Sequence, residues 1–199
     1  MKKFIILIFS MVICIFNSYS QINYKKIRSA FSIIPTFGIA GDKITQNNFQ
    51  SLFSAGLRKE FSLGKFISLN AVSNYNSAGG KQNMSSLNTI TIGAGPTIYP
   101  VYLLSLIFNK AYDPLKDKIY FDESIGVNLN NGNYGKAGDV LNVKLEVNLG
   151  QFRISNYTAL SPKIGITNFV FPQDKYIATS NPNFIYLGVG FDLGSFKKN

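Results

Sequence analysis

Apolar and polar residues alternate along most of the chain with a period of two, the spacing of a strand that has one face in an apolar environment. The clearest run is 140–149, where Leu141, Val143, Leu145, Val147 and Leu149 share one face and Asn142, Lys144, Glu146 and Asn148 the other. Near the C-terminus Ile185, Leu187, Val189, Phe191 and Leu193 oppose Tyr186, Gly188, Gly190 and Asp192. The same alternation groups Phe31/Ile33/Phe37/Ile39, Phe53/Ala55/Leu57, Ile67/Leu69/Ala71, Ile90/Ile92/Ala94/Ile98, Ile125/Val127/Leu129 and Phe152/Ile154. Helical spacing is scarce, and nothing after residue 21 is long and apolar enough for a membrane-spanning helix.

Turn-rich segments at 41–48, 77–86, 130–139 and 172–183 take turns with tighter reversals at 62–65 and 150–151. Long and short connections in alternation predict an all-β, up-and-down antiparallel meander. Eight strands are expected, near 28–40, 49–60, 66–76, 88–99, 119–129, 140–149, 152–168 and 184–196, with both termini at one end. Two segments strain that count. Segment 101–109 is too apolar for an ordinary turn, and 152–168 exceeds the ~11 residues of a spanning strand. Splitting 152–168 around Ser161 and Pro162 and making 101–109 a strand gives a ten-strand alternative. The eight-strand reading places 101–109 at the inner interface instead. Glu123 shares parity with Ile125 and Val127, which predicts a bulge or an interfacial position.

Strands of about ten residues, aliphatic on one face and Asn, Ser, Gly or charged on the other, predict a transmembrane barrel with a polar interior. A soluble sandwich or lipocalin-like barrel gives the same alternation with the faces reversed. The N-terminus favours export. Lys2 and Lys3 precede an apolar run over 4–16 and the small residues Ser18 and Ser20, a secretory signal cleaved after Ser20. Residues 1–20 are thus a signal peptide and 21–199 the barrel domain. Composition agrees: 15% of residues are charged, and 28 are Phe or Tyr, often near strand ends.

The chain has no histidine and a single cysteine, Cys14, inside the expected signal. Histidine-dependent catalysis, the usual structural zinc sites and a disulfide framework are therefore excluded. No catalytic, metal-binding or cofactor-binding residue is expected, and the protein is read as no enzyme. The glycines at 93, 95, 188 and 190 open no helix and do not make nucleotide loops. The segment 113–118 lacks the spacing of a calcium loop.

The expected interior charges are Arg58, Lys144, Arg153 and Lys163 against Asp122, Glu146 and Asp192, with Glu123 ambiguous, a network that pairs buried ions. The net charge is +10. Most of it is expected at the rim carrying the termini: Lys25, Lys26, Arg28, Lys59, Lys65, Lys110, Lys116, Lys118, Lys197 and Lys198 against Glu60, Asp113 and Asp117. The opposite loops hold Lys43, Lys81, Lys136 and Lys175 against Asp42, Asp139 and Asp174. A basic rim suits phospholipid headgroups or a periplasmic partner. Nucleic acid is not an expected partner, since no basic-aromatic pattern appears.

The C-terminal run of Tyr186, Leu187, Gly188, Val189, Gly190, Phe191, Asp192 and Leu193 resembles the assembly signal of outer-membrane barrels. In length, strand pattern and loop alternation the chain resembles the small OmpA/OmpX-type barrels, with a tail over 194–199 as a departure. The resemblance implies the outer membrane of a Gram-negative-type bacterium and recognition of 186–193 by the barrel-assembly machinery. It carries over no ligand or catalytic residue. The expected role is structural or interactive, through lipopolysaccharide, outer-membrane lipid or an envelope protein, with no solute pore. The alternatives are an accessory subunit of a transport or secretion complex, with 101–109 as a docking surface, and a soluble periplasmic binding barrel.

Overall fold

The computed structural model describes residues 31–63, 66–82, 84–108, 119–130, 138–171 and 181–194. The expected signal peptide and the C-terminal tail after 194 lie outside them. The elements are β1 (Phe31–Ala40), α1 (Lys43–Asn48), β2 (Phe49–Ser62), β3 (Ile67–Gly80), β4 (Leu87–Ile98), α2 (Pro100–Ile107), β5 (Ile119–Asn130), β6 (Leu141–Leu149), β7 (Phe152–Arg153), β8 (Thr158–Val170) and β9 (Asn183–Leu193).

Eight of these strands form an up-and-down antiparallel barrel, each paired with its neighbours in sequence once the two-residue β7 is passed over. β6 pairs with β8, and β9 closes on β1 through pairs such as Phe31↔Leu193 and Ala40↔Phe184. The ladder walk Phe31–Lys59–Ala71–Ala94–Ile125–Val143–Asn168–Asn183 returns to β1 at Gly41, whose N–H bonds the Asn183 carbonyl at 2.8 Å. The stagger around the barrel is therefore ten residues, which tilts the strands by about 40°.

Alternation decides what each face meets. Isoleucine, leucine, valine and phenylalanine stand outward along most of every long strand, while Ser, Thr, Asn and most charged residues turn inward, Lys59 and Glu123 excepted. Leu187 is 64% exposed and the adjacent Tyr186 only 2%. The sequence-predicted apolar faces of the eight barrel strands lie outside, whereas Phe152 and Ile154 are exposed on the turned-back segment beside Arg153. Among the described residues an apolar cluster of buried side chains sits at the loop end of the lumen, opposite the end where β1 begins and β9 finishes: Phe49, Leu52, Leu87, Val140, Phe169 and Phe184 meet there. Phe184 makes edge contacts with Phe49 and Phe169, ring centres 6.3 and 6.2 Å apart. α1 latches this end. Asp42 caps it by accepting from the Thr45 N–H at 2.7 Å, and the buried Thr45 hydroxyl accepts from the Asn183 N–H at 3.0 Å.

One expectation is corrected and two alternatives fall away. Residues 152–168 are not one strand: Phe152↔Leu160 and Arg153↔Ala159 pair antiparallel, so the chain doubles back at 154–157 below the barrel. Ser161 and Pro162 lie within β8, and 101–107 is helical, so neither extra strand of the ten-strand alternative forms. Glu123 causes no bulge, because Ala94↔Ile125 and Thr97↔Asp122 keep one register across it. The ladder bonds lapse there instead: Pro96 has no N–H to give, and the Asn70 side chain donates from the lumen to the Glu123 carbonyl at 3.3 Å.

Candidate functional site

The lumen and the outer wall over β4–β8 carry the polar chemistry of the described residues. Parity puts Arg58 and Glu60 on β2, Asn70 on β3, Thr97 on β4, Tyr120 and Asp122 on β5, Lys144 and Glu146 on β6, Lys163 on β8 and Asp192 on β9 all inside. Arg58 reaches across β3 and β4 to Asp122, with Nε 2.7 Å from Oδ2, and also contacts Glu60 at 3.1 Å. Its Nη2 donates to the Thr97 hydroxyl at 2.9 Å, and the same hydroxyl donates to Asp122. Lys163 lies 2.7 Å from Glu146 and donates to the Tyr120 hydroxyl at 2.8 Å. Lys144 contacts Glu146 at 3.1 Å, and the Tyr186 hydroxyl donates to the second Glu146 oxygen at 3.0 Å. Arg58 and Lys163 both stand over the Tyr120 ring, 4.9 and 4.8 Å from its centre.

The remaining lumen acid, Asp192, is held among the described residues by hydroxyls and an amide rather than by a cation. Ser32 donates to it at 2.6 Å, and Ser161 and Gln151 donate to its other oxygen. Tyr99, just past the end of β4, turns into the base of the lumen and donates to Glu60. Burial pushes its phenol well above the usual tyrosine range, and the neighbouring Glu60 carboxylate adds to the rise. Above the ions lie amide and hydroxyl contacts, Asn76 to Thr89 and Thr91, Asn142 to Thr167 at 2.8 Å. A void of about 10 Å3 between Thr36, Asn74, Lys144 and Tyr186 has room for about one water.

The structure thus brings together Arg58, Lys144, Lys163, Asp122, Glu146 and, apart from them, Asp192. It moves two residues. Arg153 is exposed on β7, where it bonds the Ser155 carbonyl at 3.1 Å, because that strand folds away from the lumen. Glu60, expected at the rim, is buried beside Arg58; their spacing of two residues was the available signal. The other expected rim charges except Lys59 lie outside the described residues. Lys59 faces outward. Tyr99 and Tyr120 were not singled out from sequence. Tyr120 shares parity with Asp122, whereas nothing local marks Tyr99.

The wall has its own feature. A recess of about 510 Å3 lies on the outside between Pro96 and Phe121 on one side and Leu145, Ile164 and Ile185 on the other. Gly165 forms its floor, and Glu123 stands in it, exposed. Among the described residues no group of three or more acids or cysteines is placed to hold a metal ion.

Taken together, a closed eight-stranded barrel with an apolar outer wall and a filled polar lumen fits a membrane location. No protein-family model matches the chain, and no curated protein does. One solved structure, from the de novo design of transmembrane β-barrels, is similar with a TM-score of 0.41 and 13% sequence identity over 85% of this chain and 100% of that one.

Proposed function

We propose that the protein is a small outer-membrane β-barrel of the OmpA/OmpX type with a structural or interaction role, exported by a cleaved signal over 1–20 and carrying no solute pore and no catalytic activity. The observation that supports this most directly is the partition of side chains: Ile, Leu, Val and Phe face outward around the whole circumference, while Arg58, Lys163 and Glu146 are buried inside. In water that wall would be an apolar patch far larger than soluble proteins tolerate, and in lipid it is the required surface. The lumen is occupied by its own side chains, which opposes solute passage. Strand β9 offers 186–193 to the barrel-assembly machinery, and the loops contact lipopolysaccharide or an envelope partner.

The test is fractionation of cells expressing the full chain. Recovery with outer membranes, a gel mobility that changes on boiling and no ion conductance in planar bilayers are expected. Recovery in the soluble periplasm would overturn the reading.

A second reading, an accessory subunit of an envelope transport or secretion complex, has one observation in its favour. α2 leaves Leu104, Ile107 and Phe108 at least half exposed at the terminal end of the barrel. Co-purification in mild detergent distinguishes the two: loss of a stoichiometric partner on L104E/I107E supports the subunit, and a single species in the wild type opposes it.

A further inference from the structure

Glu123 is an ionisable side chain in an otherwise apolar row. Along β5 the outward residues run Ile119, Phe121, Glu123, Ile125, Val127 and Leu129, and its cross-strand neighbour on β6 is Leu145. The register is continuous on either side, and the preceding Asp122 is held inward by Arg58, so alternation commits Glu123 to the outside. Its backbone is fixed as well, since Asn70 bonds its carbonyl at 3.3 Å. The four residues from Ile119 to Glu123, on strands tilted by about 40°, put it about 10 Å inside the apolar edge at the terminal end. Contact with a headgroup ammonium therefore requires the glutamate to extend toward that edge and the headgroup to bend inward.

An acid at this depth in lipid is costly without a cation. Besides Glu123, the recess is lined mainly by Pro96, Phe121, Leu145, Ile164 and Ile185, with Asp122 and Glu146 at its back paired inward to Arg58 and Lys163, and it has the volume of an alkyl chain rather than of an ion. All strands of the barrel are paired on both sides, so the recess offers no open edge to which a partner strand could add. The complement of one carboxylate over an apolar trough is an amphiphile with a primary ammonium head and a hydrocarbon body.

We propose that this recess is a binding site for phosphatidylethanolamine, with the headgroup ammonium donating to the Glu123 carboxylate and an acyl chain lying against Phe121, Leu145 and Ile164. The inference rests on the reading of the chain as a membrane barrel.

The experiment reconstitutes the full chain in vesicles of equal parts phosphatidylethanolamine, phosphatidylcholine and phosphatidylglycerol. Mild detergent then extracts it, and native mass spectrometry counts the retained lipid. Wild type is expected to retain phosphatidylethanolamine about tenfold over the other two. E123Q, which removes the charge, and I164W, which fills the trough, should each bring that preference down to about unity, while L57A on the far wall leaves it intact. Boiling-dependent gel mobility reports folding of every variant. If wild type lacks that mobility change, the membrane-barrel reading fails. If mobility is intact but wild type shows no preference, or either E123Q or I164W keeps it, the lipid site is overturned. A Glu123-dependent dimer free of lipid would likewise overturn it, in favour of a protein contact.

Discussion

Arg58 on β2 and Asp122 on β5 form a two-contact ion pair across the lumen, Nε to Oδ2 at 2.7 Å and Nη2 to Oδ1 at 3.0 Å, with two strands between them. The Nη2 contact is a hydrogen bond, whereas Nε lies close to Oδ2 without hydrogen bonding to it, and both side chains are almost wholly buried. R58M leaves Asp122 and Glu60 in the lumen without that cation, which costs about 3–5 kcal/mol. D122N added to R58M should cost less than the two single changes summed, because the partners interact. Urea unfolding of the reconstituted barrel measures both; strict additivity would contradict the pair.

The apolar cluster at the loop end and the ion network below it are separate closures. F184A removes the ring that touches both Phe49 and Phe169 and should lower stability by about 3 kcal/mol. It should not create conductance, since Arg58, Tyr120, Lys163 and Glu146 still fill the lumen. Single-channel recording checks this, and a steady open current in F184A would show that the cluster alone seals the barrel.

Gly165 is set by its neighbours. A methyl group there would come within 2.4 Å of the Tyr186 hydroxyl and 2.5 Å of the Leu145 carbonyl. The second contact is backbone and cannot rotate away. G165A is therefore expected to destabilise by about 1–3 kcal/mol, and adding Y186F should recover only part of this. Full recovery in the urea midpoint would place the strain on the hydroxyl alone.

The eight-strand topology fixes which residues share an end. Lys43 precedes β2 at the loop end, and α2 follows β4 at the terminal end. The only cysteine is Cys14, inside the expected signal, so single-cysteine probes report cleanly. K43C should react with an impermeant maleimide on intact cells, and L104C only after the outer membrane is breached. The reverse pattern would invert the proposed orientation.

Much of the fold was legible because a period of two is a local property. Each outward face, from Phe31/Ile33/Phe37/Ile39 to Ile185/Leu187/Val189, is read correctly from spacing. So is the inward set Arg58, Lys144, Lys163, Asp122, Glu146 and Asp192, since parity along a strand needs no knowledge of its neighbours. The misreadings fall where parity stops carrying information. At 152–153 the residues look like strand and are strand, but turn back onto β8 at Ile154, whose N–H bonds the Thr158 carbonyl at 3.0 Å. The segment from Pro100 is apolar enough for either strand or helix, and short apolar runs do not distinguish them.

By itself, the sequence determined the class of structure, the two faces of every long barrel strand and most of the buried ions, but not the burial of Glu60 or the exposure of Arg153. Closure decided the rest. The ten-residue stagger brings β2 and β5 side chains within one guanidinium of each other, stacks Arg58 and Lys163 over Tyr120, and gathers Phe49, Phe169 and Phe184 from three strands into one cluster. These are contacts between residues on different strands, far apart along the chain. They depend on register and curvature, which hydrogen bonding around the whole barrel sets and no local pattern encodes.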